Sequence, residues 1–335
     1  MNKAKKMYST LNQKWNYTRK DIDSILGLNK GIFQQARGSR IVVYHGVCRS
    51  DHTRFNSIFV RTRIFEKHLQ FYKKYFHVIS LDDYYRGHFS QDRFNICITF
   101  DDGFANNYKY VLPLMNKFQV PITFFITGIR NAGYDILWND FLVLAQKYGP
   151  KKFKFDGEEF FKNKYGFYAS MSRGRTLKDL SREDCFERKA EIIRSLQPMI
   201  PAKIMDREQE YWTQMTEREI RFLSRSRFTT IGSHGHYHND LSKIPIVRAR
   251  DEIVRSKLFL EDILQKEVSA IAFPYGSYSR DVLAESKSAG FSQLLATDFL
   301  FPEDYSDLTM RERFIVNPYI SVNNQMLSTI NGRYC

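Results

Sequence analysis

The stretch Ile98-Thr99-Phe100-Asp101-Asp102-Gly103-Phe104 joins an apolar, β-branched run to two adjacent carboxylates and a glycine. The apolar run is typical of a buried strand, and residues at the point where a strand enters its loop lie where α/β barrels hold their active sites. Gly103 permits a tight turn that keeps the backbone clear of a bound ligand. Because Asp-Gly is also a common ordinary turn, this stretch alone indicates a catalytic site only weakly.

A second polar cluster, Gly232-Ser233-His234-Gly235-His236-Tyr237-His238, follows another apolar run. We expect His234 and His238 to share one face of a helical turn and to bind one metal ion together, with His236 pointing elsewhere. A surface tract of histidines is the alternative, and the preceding strand-like run favours an active site. Two histidines and one aspartate leave open positions for water and substrate, and the second carboxylate remains to handle a proton. The pattern predicts a metal-assisted hydrolase.

Strand-like and helix-like runs alternate around these two clusters, which predicts a parallel sheet or barrel covered by helices. The predicted strands are 41–44, 77–81, 94–100, 121–127, 228–232, 269–273 and 291–295, and the predicted helices are 63–75, 105–118, 248–264 and 280–289.

Three segments make up the predicted domain organisation. Residues 1–40 are a polar leader with weak helical signals, and residues 41–335 form one large α/β domain. Within that domain, residues 148–210 are rich in charged and aromatic residues and have no clear period. We interpret this segment as an insertion, which either borders the site or decorates the outer surface.

Composition narrows the class of protein. The chain has 335 residues, 43% of them hydrophobic, which argues against disorder, and its apolar runs are too short to span a membrane. The N-terminus has no apolar region of the signal-peptide type, so we expect a cytoplasmic protein. The four cysteines are scattered and are expected to be reduced thiols: Cys48, Cys97, Cys185 and Cys335.

The net charge of +14 would attract anionic partners such as nucleic acid, phosphorylated sugars or an anionic membrane surface. Nucleic-acid binding is not expected, because the chain has no zinc finger, RNA-binding strand motif or basic zipper.

Four motifs resemble those of the NodB-type polysaccharide deacetylases, a carbohydrate esterase family that removes N-acetyl groups from amino-sugar polymers. Thr99-Phe100-Asp101-Asp102-Gly103 resembles the family's TFDDG, and His234–His238 resembles its HSxxH, with Gly235 in place of the usual Ser or Thr. Ala272-Phe273-Pro274-Tyr275-Gly276 is similar to the third motif, and 120–125 matches the strand after the first helix. The resemblance covers about 41–319 without the insertion and implies a distorted (β/α) barrel of the polysaccharide deacetylase type.

The resemblance also implies roles for individual residues. Asp102, His234 and His238 would hold a divalent metal, and Asp101 would be the general base. The backbone N–H of Tyr275 would stabilise the oxyanion. Zinc is the expected ion, with cobalt, nickel or manganese as alternatives, since sites of mixed histidine and carboxylate ligands accept all of them.

Two departures from the family pattern leave roles to be filled. Ala272 stands where many members have an arginine that orients the base, and Arg311 or Arg313 is a candidate replacement, although an ordinary surface arginine is slightly favoured. The chain has no histidine after His238 to serve as the general acid. His45 is the expected acid, because Tyr44-His45-Gly46-Val47 resembles the strand that supplies it in a rearranged branch of poly-N-acetylglucosamine deacetylases. A buried histidine that caps the strand is the alternative.

The predicted reaction is therefore metal-dependent removal of N-acetyl groups from amino sugars of a polysaccharide or of a lipid- or nucleotide-linked glycan precursor. Without an export signal we expect action in the cytoplasm during glycan assembly, with peripheral contact between the basic surface and the anionic inner leaflet. Two alternatives stay open: an amidase acting on a small formamide or cyclic imide, and a non-catalytic glycan-binding homologue.

Overall fold

A parallel sheet runs through the chain and curls into a barrel. The structure is a computed structural model that describes residues 3–55 and 57–334, with side chains from residue 14 onward in those ranges. The strands are β1 (Ser39–Tyr44), β2 (Val47–Cys48), β3 (Val60–Arg61), β4 (Phe76–Ile79), β5 (Phe94–Phe100), β6 (Ile122–Ile126), β7 (Lys152–Phe155), β8 (Glu158–Lys162), β9 (Tyr168–Ser170), β10 (Thr229–Ser233), β11 (Ala270–Ala272), β12 (Gln293–Ala296), β13 (Met310–Glu312) and β14 (Phe314–Ile315).

Helices cover the outside of the barrel. They are α1 (Lys3–Ile25), α2 (Lys30–Gln35), α3 (Thr62–Tyr75), α4 (Leu81–Arg86), α5 (Leu112–Phe118), α6 (Trp138–Tyr148), α7 (Leu177–Ser181), α8 (Phe186–Leu196), α9 (Ala202–Glu208), α10 (Glu217–Leu223), α11 (Ile246–Leu264), α12 (Arg280–Ser288) and α13 (Val322–Asn331). A π-helical turn at Asn107–Val111 precedes α5, and 3₁₀ turns lie at Gln197–Met199, Gln209–Tyr211, Pro274–Gly276 and Pro302–Tyr305.

The barrel is closed by one short piece of chain. The strand order is β13-β12-β11-β10-β6-β5-β1-β14, with β4 beside β5, and every pairing in this sheet is parallel. The two end strands, β13 and β14, are consecutive in sequence and are separated only by Arg313. Since β13 pairs with β12 and β14 pairs with β1, residues 310–315 bridge the remaining gap. The predicted (β/α) barrel is confirmed.

Strand β5 runs through the middle of the core, and all seven of its residues are buried. A strand buried on both faces favours a mostly apolar run, and five of the seven residues of Phe94–Phe100 are apolar, with Asn95 and Thr99 as the exceptions. Cys97 packs inside the barrel with Ile41, Phe125 and other small or apolar side chains, whereas Ile96 and Ile98 pack on the outer core. Because side chains alternate along a strand, the next inward positions after Cys97 are 99 and 101.

The predicted elements mostly match, with two differences near the site. Residues 105–118 were predicted to form one helix, but the backbone passes through the π-helical turn before α5 begins at Leu112. Residues 77–81 were predicted to be a strand, but β4 ends at Ile79 because Ser80 caps α4: its hydroxyl accepts a hydrogen bond from the backbone N–H of Asp83 at 3.0 Å.

The leader and the insertion both have regular structure. The leader forms α1 and α2, and α1 packs against α13. The insertion forms the three-stranded antiparallel sheet β7-β8-β9 and the helices α7 to α9, over a second apolar core that it shares with α6. Of the predicted thiols, Cys48, Cys97 and Cys185 are unpaired, and Cys335 lies outside the described residues. No helix within residues 3–55 and 57–334 has both the length and the apolar character needed to cross a bilayer.

Candidate metal centre and active site

Polar side chains from distant parts of the chain meet where the parallel strands end. The carboxyl ends of such strands share one rim of a barrel, so residues that follow different strands become neighbours there. Each residue that the sequence singled out can be placed on this rim: His45 follows β1, Asp101 and Asp102 follow β5, His234 follows β10, Tyr275 follows β11, and Arg313 lies between β13 and β14.

Asp102, His234 and His238 form a compact cluster of possible metal ligands. One ligand atom from each lies within 4.8 Å of the others, and all three residues are buried. Oδ1 of Asp102 is 3.2 Å from Nε2 of His238 and 3.5 Å from Nε2 of His234. Nδ1 of His234 donates a hydrogen bond to the carbonyl of Ala272 at 2.7 Å, so its Nε2 lone pair is directed toward the cluster. Two imidazoles and one carboxylate suit a divalent transition metal with open positions.

The two histidines meet through an irregular loop, so the predicted helical turn is wrong. Gly235 and His238 both have left-handed backbone conformations, with φ of 74° and 58°. The loop wraps around the buried carboxylate of Glu252, which accepts hydrogen bonds from the backbone N–H groups of Tyr237 at 2.9 Å and Asn239 at 3.2 Å. These bonds take the place of the helical ones that the spacing suggested.

His236 points away from the cluster, as predicted. Its ring is buried against Gly128, Tyr237 and Phe259. Burial lowers its pKa to about 4, so this imidazole is neutral at physiological pH. We read it as a packing residue under the loop.

Asp101 has a different partner from Asp102. Its two carboxylate oxygens accept hydrogen bonds from Nη1 and Nη2 of Arg313 at 2.6 and 2.7 Å, and both side chains are buried. Burial alone would raise the pKa of Asp101, but the charge of Arg313, with His234, outweighs it and lowers that pKa. Asp101 is therefore held ionised beside the cluster.

The slight preference for a surface arginine at position 313 is thus wrong. It holds for Arg311, which is partly exposed and donates to the carbonyls of Leu308 and Met310. Strand alternation alone would place residues 311 and 313 on the same face. Arg313 lies in the break between β13 and β14, and of the two arginines it is the buried one. The sequence offers a weak signal for this, an arginine directly before the strand-like Phe314–Ile315.

His45 and Tyr275 lie on the rim of the same site. His45 is half-buried; burial lowers its pKa, while the charges of Asp102 and Asp101 oppose that effect. Tyr275 has a left-handed backbone with φ of 61°, and its ring centroid is 5.0 Å from that of His238. Its hydroxyl donates to Oδ1 of Asn139 at 2.9 Å.

The insertion contributes residues to this rim that the sequence did not single out. The guanidinium of Arg182, after α7, lies 5.1 Å from the ring centroid of Tyr275 and forms a 2.6 Å ion pair with the fully buried Asp240. Lys189 on α8 is also buried and donates to Oδ1 of Asn239 at 2.6 Å. Asn239 directly follows His238 in the chain. Of the two alternatives for the insertion, these contacts support the one in which it borders the site.

Comparison with known proteins finds a similar family. The family model described as polysaccharide deacetylase matches residues 90–149 and 205–294, which include the Asp101-Asp102 pair, the histidine loop and Tyr275. Over these residues the chain is similar to the polysaccharide deacetylase family. The unmatched residues 150–204 fall inside the predicted insertion. A sequence search of curated proteins finds no match.

Solved structures support the family fold. The Streptococcus pyogenes deacetylase PplD in complex with acetate has a TM-score of 0.56 and 16% identity, covering 87% of this chain and 97% of that one. IcaB from Ammonifex degensii has a TM-score of 0.53 and 16% identity, covering 88% and 98%. BC0361, a polysaccharide deacetylase from Bacillus cereus, has a TM-score of 0.53 and 17% identity, covering 87% of this chain and 68% of that one. At such low identity these likenesses show the polysaccharide deacetylase fold alone.

Proposed function

We propose that this protein is a metal-dependent N-deacetylase of amino sugars in a polysaccharide or a linked glycan precursor. The observation that carries the proposal is the pair of adjacent aspartates with different partners. Asp102 lies against two histidines, and Asp101 is held ionised by Arg313. A cluster of ligands next to a separately oriented carboxylate is what metal-assisted hydrolysis of an amide needs.

Asp102, His234 and His238 would hold the metal. Zinc is the ion that we expect, with cobalt, nickel or manganese as alternatives. When bound, such a metal would polarise the amide carbonyl and lower the pKa of a coordinated water to about 7. The hydrogen bond from His234 to the Ala272 carbonyl would orient its ring for this role.

Asp101 would act as the general base. Its carboxylate is buried, ionised and fixed by two hydrogen bonds from Arg313, so it can accept the proton of the attacking water without turning away.

The acid and the oxyanion donor would come from His45 and Tyr275. The leaving amine must gain a proton, and His45 lies across the rim, half-buried and within the electrostatic influence of both aspartates. The backbone N–H of Tyr275 would donate to the tetrahedral oxyanion, and loss of such a donor typically costs about 3 kcal/mol of transition-state stabilisation.

An N-acetylated amino sugar within a longer glycan fits the surroundings of the site. Asn139, the partner of the Tyr275 hydroxyl, also lines a cavity of about 520 Å³ between α6 and the hairpin of the insertion. That cavity carries the exposed rings of Tyr165 and Phe167, which could stack on neighbouring sugar units. The net charge of +14 suits a phosphorylated lipid or nucleotide carrier, which supports action on a precursor in the cytoplasm. Equal turnover of phosphate-free oligosaccharides, or recovery of the protein outside the cell, would contradict the carrier part of the proposal.

The test is acetate release from a panel of N-acetylated amino sugars, free, polymeric and carrier-linked, with wild type and Asp101→Asn compared at equal metal content. We expect acetate from the wild type and a loss of at least about 100-fold in the variant, the usual lower range for a general base. Retained activity would remove Asp101 as the base. If formate is released, or a cyclic imide is opened, while no sugar yields acetate, the protein is a small-molecule amidase.

A non-catalytic, glycan-binding homologue is the third candidate. The complete set of ligands and the ionised Asp101 argue against it. Binding of the glycan panel without any acetate release by the metal-loaded wild type would support it.

A further inference from the structure

The N-terminal helices expose an apolar surface that the active site does not explain. Its six members are 49–85% exposed, well above what large apolar side chains on a packed helix show. We call this set the N-terminal apolar face, and it consists of Trp15, Ile22, Ile25, Leu26, Leu28 and Ile32.

Helix α1 is amphipathic, but its apolar side faces outward and its polar side packs against the protein. Trp15, Ile22 and Leu26 are spaced by seven and four residues, which places them on one face. The opposite face contacts the protein: Asn324 of α13 donates to Oδ1 of Asp21 at 2.8 Å and to the carbonyl of Tyr17 at 3.1 Å. The polar side of the helix is thus used for packing, and the apolar side is turned outward. Such a face lacks a partner within the described chain.

The charged residues around this face indicate what kind of partner it binds. Residues 1–38 contain eight Lys or Arg and only two Asp, and exposed cations lie on both helices: Lys14 and Arg19 on α1, and Lys30 on α2. Asp21 is already engaged by α13. Two copies of the chain meeting through this face would bring like charges together, which disfavours a dimer. An anionic lipid surface complements the charge and accepts apolar side chains at the same time.

We propose that residues 14–32 dock this protein on an anionic membrane surface. Trp15, Ile22 and Leu26 enter the interface between headgroups and acyl chains, and Lys14, Arg19 and Lys30 contact lipid phosphates. The helix lies in the plane of the surface and does not span it. This inference is independent of the reaction, since none of these residues belongs to the proposed catalytic or ligand set.

The tryptophans allow a direct test with the full chain. Of the three, Trp138 and Trp212 are buried, and Trp15 is 69% exposed, so a change in emission on lipid binding reports Trp15. Vesicles of pure phosphatidylcholine are compared with vesicles that contain about one quarter phosphatidylglycerol, the anionic component. We expect co-sedimentation and a blue shift of the emission with the anionic vesicles, weakened at about 1 M salt, where the screening length falls to roughly 3 Å.

Matched variants distinguish vesicle binding through this face from non-specific vesicle binding. Ile22→Ser with Leu26→Ser keeps Trp15 as the probe and should weaken vesicle binding by about tenfold or more, because each buried aliphatic side chain contributes on that order. The control, Leu258→Ser with Leu308→Ser, replaces two other exposed leucines and should bind as the wild type does. Circular dichroism and thermal unfolding confirm that both variants fold.

Three results would overturn the proposal. The first is a wild type that binds neither kind of vesicle. The second is an equal loss of binding in the control variant. The third is a wild-type dimer by light scattering that becomes monomeric in Ile22→Ser with Leu26→Ser while vesicle binding is absent, because the face would then join two copies.

Discussion

The two adjacent aspartates show how neighbouring residues acquire different roles. Asp101 continues the inward positions of β5, so it meets Arg313 inside the barrel rim. Asp102 has a left-handed backbone with φ of 75°, which turns its carboxylate toward His234 and His238. The backbone conformation at one residue thus separates the proposed base from the proposed metal ligand.

Replacement of Arg313 by Met should change both stability and pH dependence. The lowered pKa of Asp101 stabilises the fold above the ordinary pKa of Asp, and this contribution disappears as pH falls through the folded value. Without Arg313, burial should raise that pKa, so the acid limb of kcat/KM should move to higher pH. The buried, unpaired carboxylate should cost about 3–5 kcal/mol in unfolding free energy at neutral pH.

Arg311→Met is the matched control for that variant. Arg311 is partly exposed, donates to nearby carbonyls and lies 4.7 Å from the ring centroid of Tyr85, so we expect a loss of about 1 kcal/mol in unfolding free energy and an unchanged pH profile. Urea unfolding and pH–rate profiles of the two variants measure the difference. Equal behaviour of the two would contradict the role assigned to Arg313.

Lys189 should make stability depend on alkaline pH. Burial lowers its pKa to about 8 in the folded protein, from 10.5. Between these values the unfolded chain binds the proton more tightly, so this residue's contribution to unfolding free energy rises with pH from about 8 to 10.5. Compared with Lys189→Met, the wild type should gain about 3 kcal/mol across that window, at 1.36 kcal/mol for each pKa unit. Denaturant unfolding of both proteins at the two ends of the window checks this. A constant difference would contradict it.

At this scale the sequence predicted which residues form the cluster of possible metal ligands better than it predicted the residues that support them. Asp102, His234 and His238 stand in local motifs, so short stretches of sequence point to them. The partner of Asp101 is more than two hundred residues away, and its ion pair depends on barrel closure. No local periodicity reports such a contact, which explains the wrong preference for a surface Arg313.

At the scale of elements, the histidine loop depends on one glycine. A Cβ at Gly235 would lie 2.9 Å from Oε1 of Glu252, the atom that holds the loop, and its φ of 74° is unfavourable for other residues. Gly235→Ala should therefore displace Glu252 and weaken metal affinity by about 10- to 100-fold, as for other supports of metal ligands.

Gly174→Ala is the control for this loop. Gly174 has a similar φ of 63°, but nothing lies within 4 Å of its Cβ position. Both variants should lose about 1–2 kcal/mol from backbone strain, and only Gly235→Ala should lose metal affinity. Calorimetric titration with zinc measures this, and unchanged affinity in Gly235→Ala would refute the account of the loop.

The insertion should support catalysis through Arg182. Arg182→Ala removes the cation from the ring of Tyr275 and leaves the buried Asp240 without its ion pair. We expect a loss of about 1–3 kcal/mol in unfolding free energy and a lower kcat, because the Arg182 guanidinium no longer packs over Tyr275. Arg175→Ala, which breaks an exposed ion pair with Glu183 and an exposed hydrogen bond to the carbonyl of Asp179, should lose about 1 kcal/mol or less in unfolding free energy and keep kcat. A normal kcat in Arg182→Ala would exclude this coupling.

Elements with strong local patterns were predicted well, and short or irregular ones were not. The bounds of β5 agree with the prediction because its run is long and mostly apolar. The closing strand was predicted only in part, because β13 and β14 have three and two residues, too few to show a period. The π-helical turn before α5 has no sequence signature that distinguishes it from an α-helix.

At the scale of the whole molecule, barrel closure and the site are one feature. Residues 310–315 join the two ends of the sheet, and the residue at their centre, Arg313, orients Asp101. The alternation of strands and helices predicted the parallel barrel, and the motifs predicted the family that the chain resembles. The leader and the insertion, which carry the lipid-facing surface and the rim contacts, lie outside those motifs, so their roles required the structure.

The most direct test of the central claim is a zinc titration of chelator-treated protein, followed by acetate release from an N-acetylated amino sugar. The account predicts that chelation stops the reaction and that activity returns with zinc, reaching a plateau at about one ion per chain, as for a site with three protein ligands. His238→Gln and Asp102→Asn should remain inactive at that stoichiometry. Acetate release that persists after complete metal removal, or that returns equally in both variants, would contradict it.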